Sequence, residues 1–253
     1  MVKLTIKQTQ ALDMLEDINS NIVEVIYGGS AGSAKTFIGC YWILKMCLKY
    51  PGSRWLIGRS ELKILKQTTL QTFFEVCKIQ NIQNGSHYIY KEQISELHFF
   101  NGSVIILKDL AYQPSDPDFD TLGSLEICGA FIDEIAQIRK KAWDVILTRI
   151  RYKLDDFNIT PKIFGSLNPS KNWVYTYFYK PFKEGTIEST RKRFIRALPT
   201  DNPHLPQSYL DILDGLPRSE RDRLYLGKWE SSDDNQLCTQ DNIVSIFDNS
   251  WVG

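Results

Sequence analysis

The hydrophobic positions of the chain fall into two alternating patterns. Short, mainly apolar segments occur at 22–27, 54–59, 127–132 and 162–166, and the first of them is rich in β-branched residues. Such runs are typical of strands that are buried on both faces of a parallel sheet. Between them, apolar residues recur every three or four positions, which is the period of an amphipathic helix. Strands that alternate with helices predict an α/β fold of three layers, with a mostly parallel central sheet between two layers of helices.

Two of the predicted helices have recognisable N-terminal ends. One over 5–19 begins at Thr5, and one over 60–77 begins at Ser60. In both cases the hydroxyl is expected to act as an N-cap, because it can accept a hydrogen bond from a free backbone N–H of the first turn. A further helix is predicted over 139–151.

Turn signals divide the rest of the chain. Asn101-Gly102 separates two short apolar runs and predicts a β-hairpin. Residues 112–122 are rich in proline and aspartate, which is typical of a loop. Beyond residue 172 the pattern weakens, and we expect one strand near 191–198 followed by short helices.

This change of pattern predicts a division of the chain. Residues 1–170 would form the α/β core, and residues 171–230 a small C-terminal subdomain. The stretch 231–235 reads SSDDN, which is typical of a linker. Residues 231–253 as a whole are predicted to be a linker, and residues 237–253 are too few for a domain.

Composition narrows the class of protein. The 253 residues are 43% apolar and carry a formal net charge of +0. This balance argues against a histone-like binder coated in positive charge, but it leaves open a local patch that contacts DNA. No apolar run approaches the roughly 20 residues that cross a bilayer, so no membrane partner is expected. Five scattered cysteines without C-x-x-C spacing are typical of free thiols, and we expect a cytoplasmic protein.

A glycine-rich loop follows the first predicted strand and precedes a helix. Residues 28–36 read GGSAGSAKT. Backbone N–H groups of a loop containing Gly29, Gly32 and Ser33 can converge on phosphates, and the helix N-terminus adds a positive dipole. Lys35 would contact the β- and γ-phosphates of ATP, and the Thr36 hydroxyl would ligate Mg²⁺. The alternative is an ordinary glycine turn that begins a helix.

This loop departs from the usual pattern at one position. In G-x-x-x-x-G-K-[ST], Gly29 takes the first place, but Ala34 occupies the place of the second glycine. A methyl group there would crowd the approach of the backbone to phosphate. Two outcomes stay open: a loop that tolerates the alanine, and a loop that binds ATP but hydrolyses it slowly.

Two adjacent carboxylates follow the apolar run at 127–132. Asp133 would hold the magnesium shell through Thr36 and water, and Glu134 would polarise the attacking water. Alone, this pair is also compatible with a strand end that turns into solvent. Asp109 follows another apolar run, but Lys108 interrupts that run and no glutamate follows, which makes it the weaker candidate.

The next strand ends in a polar turn. Residues 164–169 read FGSLNP. Ser166 or Asn168 would lie beside the γ-phosphate and respond to its loss, as switch segments do. An ordinary Asn-Pro turn is the alternative.

The order of these motifs resembles that of tailed-phage terminase large subunits. The loop at 28–36, the acidic pair at 131–134 and the turn at 166–169 are similar to that family's Walker A, Walker B and coupling motifs. Residues 55–59 (WLIGR) resemble the strand and arginine that follow its P-loop helix, and 226–230 (LGKWE) its closing G-x-W signature.

The resemblance implies a P-loop ATPase fold of the ASCE or RecA-like type and further assigns Gln8 as the reader of adenine. It implies ATP and Mg²⁺ as cofactors, and ATP-driven packaging of double-stranded DNA into a procapsid. The implied partners are double-stranded DNA, a portal protein, a small terminase subunit and further copies of the chain in a ring. The family usually continues into an RNase H-like nuclease, so we expect this chain to be the ATPase part of a longer protein, with residues 231–253 as the linker toward an absent nuclease domain.

Two other functions remain open from the sequence. One is a helicase or recombination-type ATPase, which would unwind DNA without a portal partner. The other is a nucleotide-binding module with weakened hydrolysis, which the alanine at position 34 makes conceivable.

Arginines and lysines supply further candidates. Arg149 and Arg151 are the predicted trans-acting arginine fingers, and Arg59 is the cis alternative. Position 31, where many relatives carry a P-loop arginine, is alanine. Lys140-Lys141 and the run 191–193 (RKR) are the densest basic patches. They are candidates for sequence-neutral DNA contact, and solvated surface charge is the alternative for all of them.

Overall fold

The centre of the molecule is an eight-stranded sheet. The computed structural model describes residues 3–229. The strands are β1 (Glu24–Gly29), β2 (Arg54–Arg59), β3 (Tyr88–Lys91), β4 (Glu96–Phe99), β5 (Val104–Asp109), β6 (Gly129–Ile132), β7 (Lys162–Leu167) and β8 (Lys192–Ala197). Their order across the sheet is β3-β4-β5-β2-β6-β7-β1-β8.

Most neighbouring strands are parallel, as predicted. The stretch of the sheet from β5 to β8 contains only parallel pairs, and β3 and β4 add an antiparallel edge. The predicted hairpin joins β4 to β5, with Leu97 opposite Ile105. Its turn contains Gly102 at a φ of 88°, a left-handed conformation that glycine adopts at little cost.

Helices cover both faces of the sheet. They are α1 (Ile6–Glu16), α2 (Lys35–Lys49), α3 (Leu62–Gln67), α4 (Thr69–Ile79), α5 (Lys140–Arg149), α6 (Leu154–Phe157), a π-helix (Tyr175–Tyr179), α7 (Lys180–Lys183), α8 (Gln207–Asp214) and α9 (Arg218–Leu224). Thr5 caps α1 as predicted. Its hydroxyl accepts from Gln8 N, and the Gln8 side chain accepts from Thr5 N, which together make a capping box.

Two hydrophobic clusters fill the space between these layers. Trp42 and Phe73 lie between the sheet and the helices α2 and α4 on one face. Trp143 and Phe178 lie between the sheet and α5 and the π-helix on the other face. Each such side chain contributes about 1.5–3 kcal/mol by leaving water. The predicted three-layer α/β fold with a mostly parallel sheet is therefore confirmed.

The single helix predicted over 60–77 is wrong. Thr68 has φ −124° and ψ −72°, which separates α3 from α4. The Arg59 guanidinium donates to the Thr68 hydroxyl at 3.0 Å, and this contact holds the break beside the end of β2. Ser60 is also not the N-cap. The first turn of α3 is capped from another strand, since Leu62 N donates to Asp109 Oδ2 at 3.3 Å.

The C-terminal part shares the central sheet. Residues 192–197 form β8 and pair with β1, so the sheet crosses the predicted boundary at residue 170. Trp229 stacks on Tyr179 with ring centres 4.4 Å apart. The remaining division into core and subdomain stays a prediction, and the predicted linker at 231–253 lies outside the described residues. Within residues 3–229, every helix is too short or too polar to cross a bilayer.

Candidate active site

The predicted motifs meet at one edge of the sheet. β6, β7 and β1 are consecutive parallel neighbours, so the segments after their carboxyl ends lie side by side. These segments are the acidic pair, the polar turn and the glycine-rich loop. Ligands of open α/β sheets bind at this edge. The Thr36 hydroxyl lies 3.1 Å from Asp133 Oδ1, which joins the loop motif directly to the acidic pair.

The lysine of the glycine-rich loop is bonded within the loop and to the polar turn. Lys35 is only 7% exposed, and its Nζ donates to the Ser30 carbonyl at 2.5 Å and to Asn168 Oδ1 at 3.0 Å. Burial lowers the pKa of Lys35, while the nearby carboxylates Glu134 and Asp133 oppose that shift. The cation therefore lies within a pocket that already contains negative charge.

Gly29 is required for a steric reason. A Cβ built there would lie 1.9 Å from the Ala197 carbonyl oxygen, because β8 passes against the start of the loop. Any side chain would separate β8 from β1.

Ala34 adopts a left-handed backbone, with φ 53° and ψ 38°. The usual glycine at this position has a backbone reason, since the left-handed region costs other residues about 1–2 kcal/mol. This conformational cost adds to the steric crowding predicted from the sequence.

Asp133 is the most densely bonded side chain of the site. It is 1% exposed. Its Oδ1 accepts from Ser166 Oγ at 2.5 Å and from Thr36, and its Oδ2 accepts from Thr69 Oγ1 at 2.6 Å and from Arg59 Nη1 at 3.1 Å. Four donors hold this carboxylate in one orientation.

Three of these donors, Arg59, Thr69 and Ser166, were not predicted as partners of Asp133. Arg59 ends β2 and Thr69 begins α4. The pairing of Gly58 with Ile132 places Arg59 across from Asp133. This strand register would have identified Arg59 as a partner of Asp133. The sequence alone, however, does not show that β2 and β6 are neighbours.

Glu134 also has a left-handed backbone, with φ 55° and ψ 55°. Its N–H donates to Ser166 Oγ at 3.1 Å, and its Oε1 accepts from Asn168 Nδ2 at 3.1 Å. Burial raises the pKa of Glu134, and the positive charge of Lys35 opposes that shift. Strained backbone at such positions is concentrated in functional sites, where the surrounding structure holds it.

Asn168 connects the lysine and the glutamate. Its Oδ1 accepts from Lys35 and its Nδ2 donates to Glu134. Ser166, the other residue of the predicted turn, contacts Asp133 and the backbone of Glu134 instead. Asn168 is therefore the residue of this pair that contacts both groups expected to act on the γ-phosphate.

The protein groups available for a magnesium ion are oxygens. The Thr36 hydroxyl and Asp133 carboxylate are hard ligands of the kind that Mg²⁺ binds, usually one or two from the protein with phosphate and water completing the shell. Within residues 3–229, no three His, Cys, Asp or Glu side chains are grouped closely enough for a metal cage. The residues present fit a metal held mainly by a nucleotide.

A cleft of about 410 Å³ opens beside the loop. Ligand sites commonly have volumes of about 300–1,000 Å³. Its lining includes Gln8, which is 3% exposed and whose Nε2 donates to the Ala34 carbonyl at 3.3 Å. The other lining residues are Lys3, Ala34, Phe37, Ile79, Asn202 and His204. Gln8 thus lies in the wall of the cleft beside the loop, and its adenine-reading role stays a prediction.

A C-terminal segment lies over the loop, which the sequence did not predict. Asn202 Nδ2 donates to the Gly32 carbonyl at 2.8 Å, and Ala31 N donates to the Leu224 carbonyl at 3.1 Å. A loop N–H is thereby bonded within the protein.

Arg149 and Arg151 are not brought to this pocket. Both bond through their backbones to Ile127, ahead of β6, whereas Asp133 and Glu134 follow the other end of that strand. The Arg149 guanidinium donates to the Gly123 carbonyl at 2.7 Å, and Arg151 pairs with Glu126 at 3.6 Å. A cis role for either is excluded by this placement, and their trans role stays a prediction.

Comparison with known proteins places the chain among viral proteins. A family model described as phage terminase large subunit matches residues 21–227. No curated protein matches the chain in sequence.

Solved structures show the same fold. The large terminase of a thermophilic bacteriophage is 14% identical, with a TM-score of 0.73 over 90% of this chain and 54% of that one. The chain thus spans about half of that protein, which has also been solved in complex with ADP and with ATP-γ-S. The large terminase ATPase domain of Thermus phage P74-26 is 15% identical, with a TM-score of 0.58 over 90% of this chain and 94% of that one. The HK97 bacteriophage large terminase is 12% identical, with a TM-score of 0.57 over 82% and 42% of the two chains.

Proposed function

The chain belongs to the phage terminase large subunit family, and from that premise we propose that it hydrolyses ATP to drive double-stranded viral DNA into a procapsid. The observation that carries the proposal is the single pocket in which Lys35, Thr36, Asp133, Glu134 and Asn168 meet. A triphosphate hydrolase requires a phosphate-binding cation, a metal-holding oxygen pair and a carboxylate for water. All three lie within one hydrogen-bonded network.

Each side chain has a distinct part in the proposed reaction. Lys35 would exchange its bonds to Ser30 and Asn168 for phosphate oxygens. Thr36 and Asp133 would hold Mg²⁺, which neutralises phosphate charge when bound. Glu134 would orient the attacking water and accept its proton, and a raised pKa suits a general base better than that of an exposed glutamate.

Asn168 would report the state of the nucleotide. While a γ-phosphate is bound, Lys35 is drawn toward it and Asn168 loses that partner. After phosphate leaves, the bond of Asn168 to Lys35 at 3.0 Å can form again. The exchange of one hydrogen bond thereby converts hydrolysis into movement of the segment that follows β7.

We propose two alternatives for the arginine that neutralises the negative charge of the transition state, one in the same chain and one from a neighbouring copy. Arg59 is close enough to act in cis, since it pairs with Asp133 at 3.1 Å. Arg149 and Arg151 would act only in trans, on the pocket of a neighbouring copy in a ring. We further propose a portal protein and a small terminase subunit as partners, and the host cytoplasm as the location.

The experiment compares ATP hydrolysis by the wild-type chain and by Glu134→Gln with Mg²⁺ present. The amide keeps the shape of the side chain but cannot accept a proton, so we expect turnover to fall about 10²–10⁴-fold. Glu75→Gln, on the exposed side of α4, is the matched control and should hydrolyse ATP at the wild-type rate.

Other outcomes would select the alternatives. Equally slow hydrolysis by the wild type and Glu134→Gln would indicate a nucleotide-binding module with weakened hydrolysis. Glutamate-dependent hydrolysis with strand separation of duplex DNA, and no response to a portal protein, would indicate a helicase or recombination-type ATPase. Either result would overturn the packaging proposal.

A further inference from the structure

Positive charge is concentrated in one segment of the chain. Residues 171–196 contain seven lysine and arginine residues but only two glutamates, whereas the whole chain has a net charge of +0. The rest of the protein is correspondingly acidic. A polyanion would therefore be attracted to this segment rather than to the protein in general.

The two basic patches singled out in the sequence meet at one exposed ring. Tyr177, in the π-helix, is 40% exposed. Lys140 Nζ, at the start of α5, lies 4.3 Å from the centre of its ring, and Lys192 Nζ, at the start of β8, lies 4.8 Å from it. The ring attracts both ammonium groups, and each ammonium has three N–H donors, more than one contact uses.

Neighbouring charges modify this surface without cancelling it. Asp144 pairs with Lys140 at 2.6 Å, and Glu188 pairs with Arg193 at 3.0 Å. Arg193 also donates to the carbonyls of the turn before β8, so its role is structural. Arg191 is exposed, with one bond to the Asn21 carbonyl at 3.3 Å. Arg191 therefore lies against the residues before β1, and Lys140 and Lys192 are the two cations at the Tyr177 ring, of which Lys140 would exchange Asp144 for an oxygen of the ligand.

The same surface is linked to the candidate active site by a short series of contacts. Asn168 bonds to Glu134, and four residues later Asn172 Nδ2 donates to the Ala136 carbonyl at 2.7 Å. Trp173 Nε1 then donates to the Ile138 carbonyl at 2.8 Å, and the Trp173 ring contacts the Tyr177 ring. Movement of the segment after β7 would therefore be passed to the exposed tyrosine.

We infer that the surface formed by Lys140, Tyr177 and Lys192 binds the phosphate backbone of double-stranded DNA during translocation. This inference rests on the proposed function. Lysine contacts to phosphate are independent of sequence, as a motor that moves any viral DNA requires. The tyrosine hydroxyl supplies a further donor to phosphate oxygen.

The test is the affinity of the full chain for a labelled random-sequence duplex, measured over a series of salt concentrations. Each phosphate contact contributes about 0.9 to the slope of log affinity against log salt. The double variant Lys140→Ala with Lys192→Ala should bind about 10- to 100-fold more weakly near 0.1 M salt, with a slope reduced by about 1.8. Lys63→Ala with Lys78→Ala removes the same charge from exposed positions on α3 and α4, and should bind like the wild type.

A second variant guards against loss of folding. Lys140→Arg with Lys192→Arg retains both charges, and therefore the number of phosphates neutralised, and should retain DNA affinity within about 3-fold. Equal affinity of the Lys140/Lys192 alanine variant and the wild type, or equal weakening in the α3/α4 control, would overturn the inference and indicate that the surface faces another partner. Such a result would leave the ATPase proposal intact, because that proposal fails only if Glu134→Gln hydrolyses ATP like the wild type or the alternatives above are observed.

Discussion

Two residues of the candidate site adopt a left-handed backbone that their side chains disfavour. Ala34 does so at the end of the phosphate-binding loop, and Glu134 does so after β6. At position 34 the loop has the left-handed backbone that the usual glycine of this motif would adopt, although alanine occupies the position. Slow hydrolysis is therefore not a necessary consequence of this departure from the common pattern.

Ala34→Gly is expected to stabilise the protein. Relief of the left-handed conformation contributes about 1–2 kcal/mol, and the greater freedom of unfolded glycine offsets about 0.5–1 kcal/mol. The free energy of unfolding in urea should rise by about 0.5–1 kcal/mol, and we expect ATP affinity or turnover to rise as well. Ala31→Gly is the control, because Ala31 has a negative φ and should lose stability. Loss of stability in both variants would contradict the conformational explanation.

The raised pKa of Glu134 predicts how its replacement affects stability at different pH values. A carboxyl with a raised folded-state pKa stabilises the fold fully below its ordinary value of 4.5 and loses that contribution as pH rises through the folded value. The free energy of unfolding of Glu134→Gln, minus that of the wild type, should therefore increase as the pH rises from 4.5 through the folded-state pKa of Glu134. At higher pH the difference should stay constant.

Denaturant unfolding of both proteins at several pH values measures this difference. The exposed Glu75→Gln controls for loss of charge alone. A difference between Glu134→Gln and the wild type that is independent of pH, or that shrinks as pH rises, would contradict a partly buried Glu134 whose pKa is raised by desolvation.

At the scale of elements, the sequence predicted the features that depend on local pattern. The apolar runs at β1, β2, β6 and β7 identified buried strands. The glycine-rich turn marked the segment after β1, and Asp133 and Glu134 marked the segment after β6. Since parallel strands end at one edge, the convergence of these motifs also followed from the sequence.

Elements that depend on distant contacts were not predictable. The break between α3 and α4 comes from Arg59 reaching Thr68, and the cap of α3 comes from Asp109 on β5. Nothing in residues 60–77 themselves interrupts the helical period. The role of Thr69 as a donor to Asp133 was missed for the same reason, because it requires the placement of α4 beside β6.

At the scale of the whole molecule, Asp133 joins several elements. Its donors come from α2, the end of β2, α4 and β7. Removal of this carboxylate would leave the Arg59 guanidinium, 14% exposed, without its counter-charge.

Asp133→Ala should therefore lower the free energy of unfolding by about 3 kcal/mol, the lower end of the cost of breaking a buried ion pair. Glu134→Ala removes the adjacent carboxylate and should cost much less, because that carboxylate accepts from the neutral Asn168 amide, while the bond to Ser166 comes from the backbone N–H that alanine keeps. Chemical denaturation of both variants checks this. Equal losses would show that Asp133 is not a structural centre of the fold.

The position of β1 has a consequence for the order in which the protein can fold. This strand leads into the phosphate-binding loop, yet it pairs with β7 and β8, which follow it by about 140 and 170 residues. During synthesis the edges of β1 stay uncovered until both partners have been made, and Gly29 meets Ala197 only then. A nascent chain that ends before β8 leaves one edge of β1 unpaired, so the start of the glycine-rich loop is not covered by Ala197 until that residue has been made.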